Sequence, residues 1–448
     1  MARPAQPQPE LARGAAQAPG RLSVSALPAL PLPRRQWLAY GAFGLPLAMA
    51  ALPVYVHVPR LYAEIGGMSL SLLGALLLAA RLLDAGIDPL LGSWSDRTTS
   101  RRRLIVIALP CLAIGMLALL HPPPGAPPLW LLASLLGTYF GFSLATIAYQ
   151  AWGAELGRDA GERTRLTASR EGFGLLGVIL AAALPGLIAN DLAEGLSTLA
   201  QIFPLLLLLF ASWTFLGTPP SVARPRATGK VFADLRGVLD DGRFRRLLVV
   251  FVVNGVAAAL PATLFLFFVT DVLHAEAWSG AFLALYFVSG VAFLPLWVAL
   301  ARRFGRVPTW VASMFVAVLS FAWAWGLGAG DVWPFAVVCL LSGAALGADL
   351  TLPAALLADL AESPAAGGQE SARPAQAGAY FGWWNLVAKL NLALAAGLSL
   401  PLLDLVGYRP GDETATQGLA AVYGLLPLLF KTLAAALAWR WRKTLEVC

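Results

Sequence analysis

The sequence is poor in charge and in the residues that bind metals or form disulfides. Only 13% of its 448 residues are charged, and it contains three histidines and three cysteines. Three scattered histidines are too few for a zinc site, and the cysteines have neither metal-ligand spacing nor the pattern of a secreted disulfide framework. The phosphate-loop, His-Glu-x-x-His and nucleophile-elbow motifs are also missing. The sequence therefore does not indicate an enzyme or an ATP-driven pump, and we expect no cofactor.

Apolar residues, in contrast, make up 58% of the chain. They form runs of roughly 20 residues, which is the length that an α-helix needs to cross a bilayer. We predict an all-α membrane protein with twelve transmembrane helices. The predicted spans are residues 37–58, 68–93, 104–121, 129–153, 170–190, 199–217, 247–270, 277–300, 308–327, 332–360, 376–403 and 418–439.

The positive charges indicate the orientation of these spans. If the spans alternate, the arginine clusters all fall on one side of the membrane, and the other side has little more than Arg60 and Arg409. Positive loops are retained in the cytoplasm, so we expect both termini there. The net charge of +7 is then a topology signal, and we expect no nucleic-acid partner.

A polar stretch at 218–246 divides the spans into six plus six. A short basic loop follows the second span of each half, which is expected of two repeated six-helix halves. This loop either sets topology alone or closes the inward face as a gate. The predicted organisation is a disordered cytoplasmic tail (1–36), an N-terminal bundle (37–217), a basic linker (218–246), a C-terminal bundle (247–440) and a cytoplasmic tail (441–448). The gate candidates are Asp96, Arg97, Glu155, Arg302, Arg303 and Asp359.

The second span contains Arg81, Asp84 and Asp88 inside an apolar run. Ionisable groups at this depth are costly and indicate function. Asp84 and Asp88 are four residues apart, share one helix face and would repel each other. The pair therefore needs a proton, a metal cation or a basic partner. We predict a cation-coupling site.

Other polar side chains lie in the remaining spans. Lys389 is too deep in the eleventh span to reach the interface, and we expect it to pair with Asp84, Asp88 or Asp349 across a central cavity. Static ion pairs between the halves are the alternative. Arg170 is predicted to begin the fifth span, where it could simply anchor at the interface, and Asn254 to begin the seventh. The remaining candidates are Ser143, Thr146 and Gln150 in the fourth span.

Four stretches resemble the glycoside–pentoside–hexuronide:cation symporters, a branch of the major facilitator superfamily. They are the Arg-x-x-Asp-x-x-x-Asp-Pro-x-x-Gly pattern of Arg81–Gly92, the segment from Tyr149 to Arg170, Leu352-Pro353 with Asp359, and Tyr380-Phe-Gly382 with Lys389. The resemblance covers the chain from about residue 37 and implies the major facilitator fold. It also implies a cation site at Asp84, Asp88 and Ser143, a Lys389 that communicates with this site, and an Arg170 near the sugar.

The chain departs from that family at several positions. Pro46 and Thr146 stand where sugar-transporting members have acidic residues, and Gln150 replaces an aromatic residue. Recognition of a galactoside by two carboxylates is therefore not available, and Asp349 is our candidate for the missing acidic group. Ile87 replaces an asparagine between the two aspartates, which removes an oxygen ligand and favours H⁺ modestly over Na⁺.

The sequence thus predicts a monomeric secondary transporter in a bacterial inner membrane. It would couple H⁺ or Na⁺ to symport of a small polar solute, a sugar or glycoside, by alternating access. Two alternatives remain open: a cation-linked carrier of a lysophospholipid or other amphipathic solute, and a non-transporting receptor or scaffold. The predicted site comprises Asp84, Asp88 and Ser143 for the cation, Lys389 and Arg81 for coupling, and Thr146, Gln150, Arg170, Asp349 and Asn254 for the solute, with no metal other than Na⁺ at the aspartates.

Overall fold

The computed structural model describes residues 32–65, 69–189, 192–220, 230–362, 376–408 and 416–446. Within these ranges the chain is helical, with short connections. The helices are α1 (Arg34–Ala42), α2 (Gly44–Val56), α3 (Val58–Ile65), α4 (Leu70–Arg97), α5 (Arg101–Leu120), α6 (Pro128–Leu156), α7 (Ala160–Ile188), α8 (Leu192–Gly217), α9 (Val231–Asp240), α10 (Gly242–Phe267), α11 (Ser279–Phe304), α12 (Arg306–Ala324), α13 (Val332–Glu362), α14 (Ala377–Leu405), α15 (Thr416–Arg440) and α16 (Arg442–Leu445).

Eleven helical segments in the described part of the chain are long and apolar enough to cross a membrane. The first of them begins at Arg34 and combines α1 with most of α2. The twelfth long helix is α4, whose apolar sequence is interrupted by Arg81, Asp84 and Asp88. Together they confirm the predicted all-α fold with twelve transmembrane helices in two halves of six.

Two helices begin earlier than predicted, and this changes the setting of two candidate residues. The Asp159 side chain accepts a hydrogen bond from Glu162 N (2.8 Å), and Glu162 accepts one from Arg158 N (3.0 Å). These reciprocal bonds start α7 at Ala160, so the prediction that Arg170 begins the helix is wrong. Asp241 caps α10 in the same way through Arg243 N (2.8 Å). Asn254 is therefore interior to α10, not at its start.

The polar region 218–246 also contains helical structure. Helix α9 occupies Val231–Asp240, and α10 follows almost directly. The tail 1–36 is predicted to be disordered, but residues 1–31 lie outside the described residues, as do residues 221–229 of the linker, Arg409 and residues 447–448. The predicted boundaries of the five segments stay predictions.

The two halves meet along α4 and α14, and also where α7 packs on α11 and α13. Glycine permits the α4–α14 approach. A Cβ on Gly92 would lie 2.2 Å from Gly378 O, and one on Gly382 would lie 2.7 Å from Asp88 O. Helix α14 therefore lies directly against the stretch of α4 that carries the two central aspartates.

Candidate ion and solute site

The centre of the α4–α14 contact holds an ammonium group between two carboxylates. Lys389 Nζ lies 2.7 Å from Asp84 Oδ1 and 2.7 Å from Asp88 Oδ2. It also donates to Ser143 Oγ (2.8 Å), which in turn donates to Asp84 Oδ1 (2.8 Å). Of the three carboxylates predicted as possible partners of Lys389, Asp84 and Asp88 pair with it. We call Asp84, Asp88, Ser143 and Lys389 the N-half cluster, because three of its four side chains belong to the N-terminal half and only Lys389, of α14, belongs to the C-terminal half.

Burial is uneven within the N-half cluster. The side chains of Asp84 and Asp88 are 2% and 0% exposed, whereas that of Lys389 is 10% exposed. The two carboxylates are thus enclosed, and the lysine is the member that reaches accessible space. Arg81 lies half-buried on α4, one turn before Asp84.

A second contact between the halves lies one helical turn along α14. Asn385 Nδ2 donates to Gln150 Oε1 (2.8 Å) and to Phe381 O (2.9 Å). Asn385 and Lys389 are four residues apart and therefore share a helix face. The same face contains Gly378 and Gly382, so one stripe of α14 makes the contacts with the opposite half.

The remaining N-terminal solute candidates lie on α6 and α7. Arg170 is buried and donates through Nε to Glu171 Oε1 (3.0 Å). The sequence analysis did not single out Glu171, although the adjacent opposite charge was readable. The buried Thr146 Oγ1 has no hydrogen-bond partner among the described residues. Thr146 thus keeps an unused hydroxyl group one turn from Gln150.

Asp349 and Asn254 belong to a different cluster, in the C-terminal half. Lys431 Nζ donates to Asp349 Oδ2 and to Asn254 Oδ1, the latter at 2.8 Å. Trp310 Nε1 donates to the other Asp349 oxygen (2.9 Å). We call Asn254, Trp310, Asp349 and Lys431 the C-half cluster. The sequence analysis missed Lys431, although it is an ionisable residue in an apolar helix, as Lys389 is.

The predicted gate residues gather at the end of the bundle where α4 ends and α5 begins, which we call the arginine-rich end. Asp96 accepts hydrogen bonds from the first free N–H groups of α14, Gly378 N (2.7 Å) and Ala379 N (2.8 Å). A carboxylate at a helix N-terminus is favourable because it meets unpaired N–H groups and the positive end of the dipole. Arg101 links Asp96 (2.8 Å) to Glu155 (3.0 Å).

A second set of ion pairs at this end joins the two halves through Asp359 of α13. Asp359 binds Arg163 of α7 (2.9 Å) and also Arg306. The sequence analysis proposed Arg302 and Arg303 here, but both are exposed on the last turn of α11, and Arg306 is the residue that reaches Asp359. Arg97 pairs instead with Asp234 of α9 (2.6 Å).

The sequence profile of a family described as MFS/sugar transport protein matches residues 38–443. The chain belongs to this family. This membership confirms the prediction that the chain is not an enzyme, because the family consists of membrane transport proteins.

Two relatives are called symporters. The chain is 25% identical over 282 residues to the inner membrane symporter YicJ of Escherichia coli, covering 60% of this chain and 61% of that protein. It is 29% identical over 175 residues to the uncharacterized symporter sll1374 of Synechocystis, covering 35% and 31%. In both cases the match spans less than two thirds of the relative.

Solved structures show the same fold. A bacterial homologue of the iron transporter ferroportin, in an outward-facing state, aligns with a TM-score of 0.69 at 17% identity, covering 92% of this chain and all of that chain. The fucose:proton symporter FucP of Escherichia coli aligns with a TM-score of 0.62 at 13% identity, covering 89% and 97%. The proton:xylose symporter XylE aligns with a TM-score of 0.60 at 16% identity, covering 91% and 94%. At these identities the likeness concerns the fold.

Proposed function

We propose that the protein couples the entry of H⁺ or Na⁺ to uptake of a small polar solute, a sugar or glycoside, across a bacterial inner membrane. The observation that carries this proposal is the position of Lys389 Nζ, 2.7 Å from both Asp84 and Asp88 in the membrane interior. Family membership and the symporter names of the relatives support it. The protein would act as a monomer with both termini in the cytoplasm.

In this mechanism the lysine and the coupling cation compete for one place. The oxygens that surround the ammonium, from Asp84, Asp88 and Ser143, are also suitable ligands for Na⁺, and either carboxylate can take a proton. A cation that enters the site displaces Lys389, and the displaced lysine is then free to move with α14. Binding of the cation is thereby converted into a change at the contact between the halves.

The solute would bind between the halves beside this contact. Thr146, Gln150 and Arg170 offer a hydroxyl, an amide and a guanidinium group on α6 and α7, and Gln150 already bonds Asn385 of α14 (2.8 Å). A solute that replaces this amide pair would act on the same helix as the cation. Both ligands therefore bias one equilibrium, which is the thermodynamic requirement for coupling.

Alternating access would require the arginine-rich end to open. The bonds of Asp96 to the start of α14 and of Asp359 to Arg163 join the two halves there. We propose that this end faces the cytoplasm, because basic residues near span ends are retained on that side. Asp96, Glu155 and Asp359 are then gate residues, Arg101, Arg163 and Arg306 are their partners, and Arg97 holds α9 against the gate.

Replacement of Asp88 by asparagine tests the proposal. In proteoliposomes preloaded without Na⁺ at neutral pH, we expect the wild type to accumulate a radiolabelled sugar when Na⁺ or a proton gradient is imposed. The panel consists of monosaccharides, disaccharides and methyl glycosides, with a lysophospholipid as the comparison for an amphipathic cargo. Asp88→Asn should abolish the gradient-driven accumulation.

The matched control is Asp331→Asn, which makes the same substitution in the loop before α13. There Asp331 accepts a hydrogen bond from Gly328 N (2.9 Å). This variant should transport as the wild type does. Full gradient-driven accumulation in Asp88→Asn would refute the coupling role. Uptake of the lysophospholipid but of no sugar would show that the solute is amphipathic.

A further inference from the structure

Arg102, the second residue of α5, is a partly buried arginine at the arginine-rich end that has no acidic partner among the described residues. Its neighbours Arg97, Arg101 and Arg163 each pair with a carboxylate. The guanidinium group of Arg102 instead donates a hydrogen bond to the backbone oxygen of Thr218. A positive charge that is partly buried without a counter-ion is costly. This position therefore favours the binding of an anion.

Polar groups without a partner are concentrated around Arg102. Its guanidinium carbon lies 4.8 Å from the centre of the Trp152 ring and 5.7 Å from that of the Phe215 ring. Arg102 Nε, Trp152 Nε1 and Thr218 Oγ1 are all buried and have no hydrogen-bond partner in the described part of the chain. Buried N–H and O–H groups are normally paired, so each of these needs an explanation. Three such groups, on Arg102 and two residues that contact it, indicate a ligand that supplies hydrogen-bond acceptors.

The site lies where the apolar outer surface of α5 and α8 ends. These two helices pack against each other. Val106 follows Arg102 by four residues on α5, shares its helix face and is 53% exposed. Leu216, two residues before Thr218 at the end of α8, is 89% exposed. Large apolar side chains that are exposed together in this way mark a surface that contacts lipid. Arg102 is therefore at the level of the phospholipid headgroups, at the edge of the acyl chains.

Further positive charge surrounds this site. Arg103 follows Arg102 on α5 and is exposed. On α1, the exposed Arg35 lies one turn before Ala39, whose Cβ would be 2.5 Å from a Cβ on Gly217 at the end of α8. Helix α5 also begins here, and the start of a helix is the positive end of its dipole. The local charge therefore suits an anionic headgroup better than a neutral or zwitterionic one.

We propose that Arg102 and Thr218 bind the phosphodiester group of an anionic phospholipid in the leaflet at the arginine-rich end, and that Trp152 holds the guanidinium group through its ring. Guanidinium and hydroxyl groups both donate hydrogen bonds to phosphate oxygens, and an arginine can donate two in parallel. The acyl chains would extend along Val106 and Leu216. Free phosphate offers the same oxygens but no acyl chains, so the adjoining apolar surface favours the lipid.

The site is formed within the N-terminal half, so its test needs no transport measurement. Thermal unfolding of the detergent-purified full-length protein is measured with added phosphatidylglycerol, which is anionic, and with zwitterionic phosphatidylcholine, diacylglycerol or inorganic phosphate. We expect phosphatidylglycerol to stabilise the wild type most, and native mass spectrometry to detect it on the protein. Equal stabilisation by diacylglycerol would overturn the proposal. Equal stabilisation by inorganic phosphate would show a site for free anions and overturn the assignment to a lipid.

Arg102→Gln should lower the apparent affinity for phosphatidylglycerol roughly tenfold or more, because it removes hydrogen bonds between charged groups. The matched control is Arg303→Gln, at an exposed position of the same end, where Arg303 lies 5.2 Å from the centre of the Phe304 ring. Both variants remove one positive charge, so a general attraction of the lipid to a basic surface predicts the same small loss in each. Equal losses in the two variants would overturn the proposal.

Thr218→Val separates lipid binding from a purely structural role of Arg102. This variant keeps the backbone oxygen that accepts from Arg102 and replaces the unpaired hydroxyl group by a methyl group. The lipid-free variant should be at least as stable as the wild type, because an unpaired buried hydroxyl group is costly. Its affinity for phosphatidylglycerol should fall several-fold. Unchanged affinity would overturn the proposal, and Thr218→Val decides alone if Arg102→Gln does not fold.

Discussion

The N-half and C-half clusters use the same residue types with opposite exposure. In the N-half cluster two carboxylates are enclosed and Lys389 is 10% exposed, whereas in the C-half cluster Lys431 is 2% exposed and Asp349 is 9% exposed. The first has two carboxylates around one ammonium, and the second has one of each. We expect the partly accessible Lys389, beside two enclosed carboxylates, to be displaced by another cation more readily than the enclosed Lys431 behind one carboxylate. Under the proposed function, this difference fits cation exchange at the first cluster and a fixed ion pair at the second.

The largest effect on stability is expected from Lys431→Met. The variant leaves the Asp349 carboxylate buried without its cation, and no solution cation can readily replace the enclosed Lys431. Breaking a buried pair in this way costs about 3–5 kcal/mol. The loss is measured by thermal or chemical unfolding of the detergent-purified protein. Lys443→Met, at an exposed position of α16, is the control and should change stability little. A cost below about 1 kcal/mol in Lys431→Met would show that the two lysines are equally replaceable.

A smaller loss that depends on cations is expected from Lys389→Met. Two carboxylates remain without their ammonium, but a cation from solution can take its place. The cost should stay below about 3 kcal/mol. It should shrink by up to about 1.4 kcal/mol for each tenfold rise in free cation, once binding is saturating. Unfolding across Na⁺ concentrations and across pH measures this dependence.

The sign of the pH effect follows from the charges. Removal of the ammonium leaves two neighbouring carboxylates that repel each other in the folded protein, and a proton on one of them relieves this repulsion, so Lys389→Met should gain stability relative to the wild type as pH falls. Stability of Lys389→Met that ignores both Na⁺ and pH would contradict exchange at this site. The matching series on Lys431→Met should show the weaker dependence.

The smallest effect is expected from Asn385→Ala, which leaves both clusters intact. It removes the hydrogen bond to Gln150, an uncharged contact between the halves (2.8 Å). The net value of such a bond is about 1 kcal/mol. Unfolding measures the loss, with Gln201→Ala on the exposed side of α8 as the amide control. A loss above about 2 kcal/mol would mean that Asn385 also holds Lys389 in place.

The sequence predicts the fold and the N-half cluster well, for the same reason. Long apolar runs identify spans, and charges inside such runs are rare enough that Asp84, Asp88 and Lys389 stand out. Helix starts were predicted less well, since hydrophobicity identifies only the part of a helix that lies in lipid. The polar first turns of α7 and α10 were readable only from their capping residues, Asp159 and Asp241.

Two further differences between the sequence prediction and the structure, at Lys431 and at the gate arginines, have separate causes. Lys431 is an ionisable residue in an apolar span, as Lys389 is, and could have been predicted for the same reason. None of the four stretches that resemble the symporter family lies in α15. The choice of Arg306 over Arg302 and Arg303 could not have been read from charge alone. It depends on Gly305, whose φ of 92° ends α11 and begins α12, so that Arg306 is turned toward Asp359.

The two hydrogen bonds of Asp96 to the start of α14 bear on uncoupled leakage, which is the passage of the cation or the solute without the other. Gly378 and Lys389 are eleven residues apart in the continuous helix α14, a rise of about 16 Å. The proposed gate contact and the proposed ion site are therefore about three helical turns apart on one helix, and α4 contacts α14 at both places. Separation at one end without the other would require α14 to bend. Under the proposed function, a cation or a solute crossing alone would have to supply that bending energy, so α14 would also limit the passage of either one by itself.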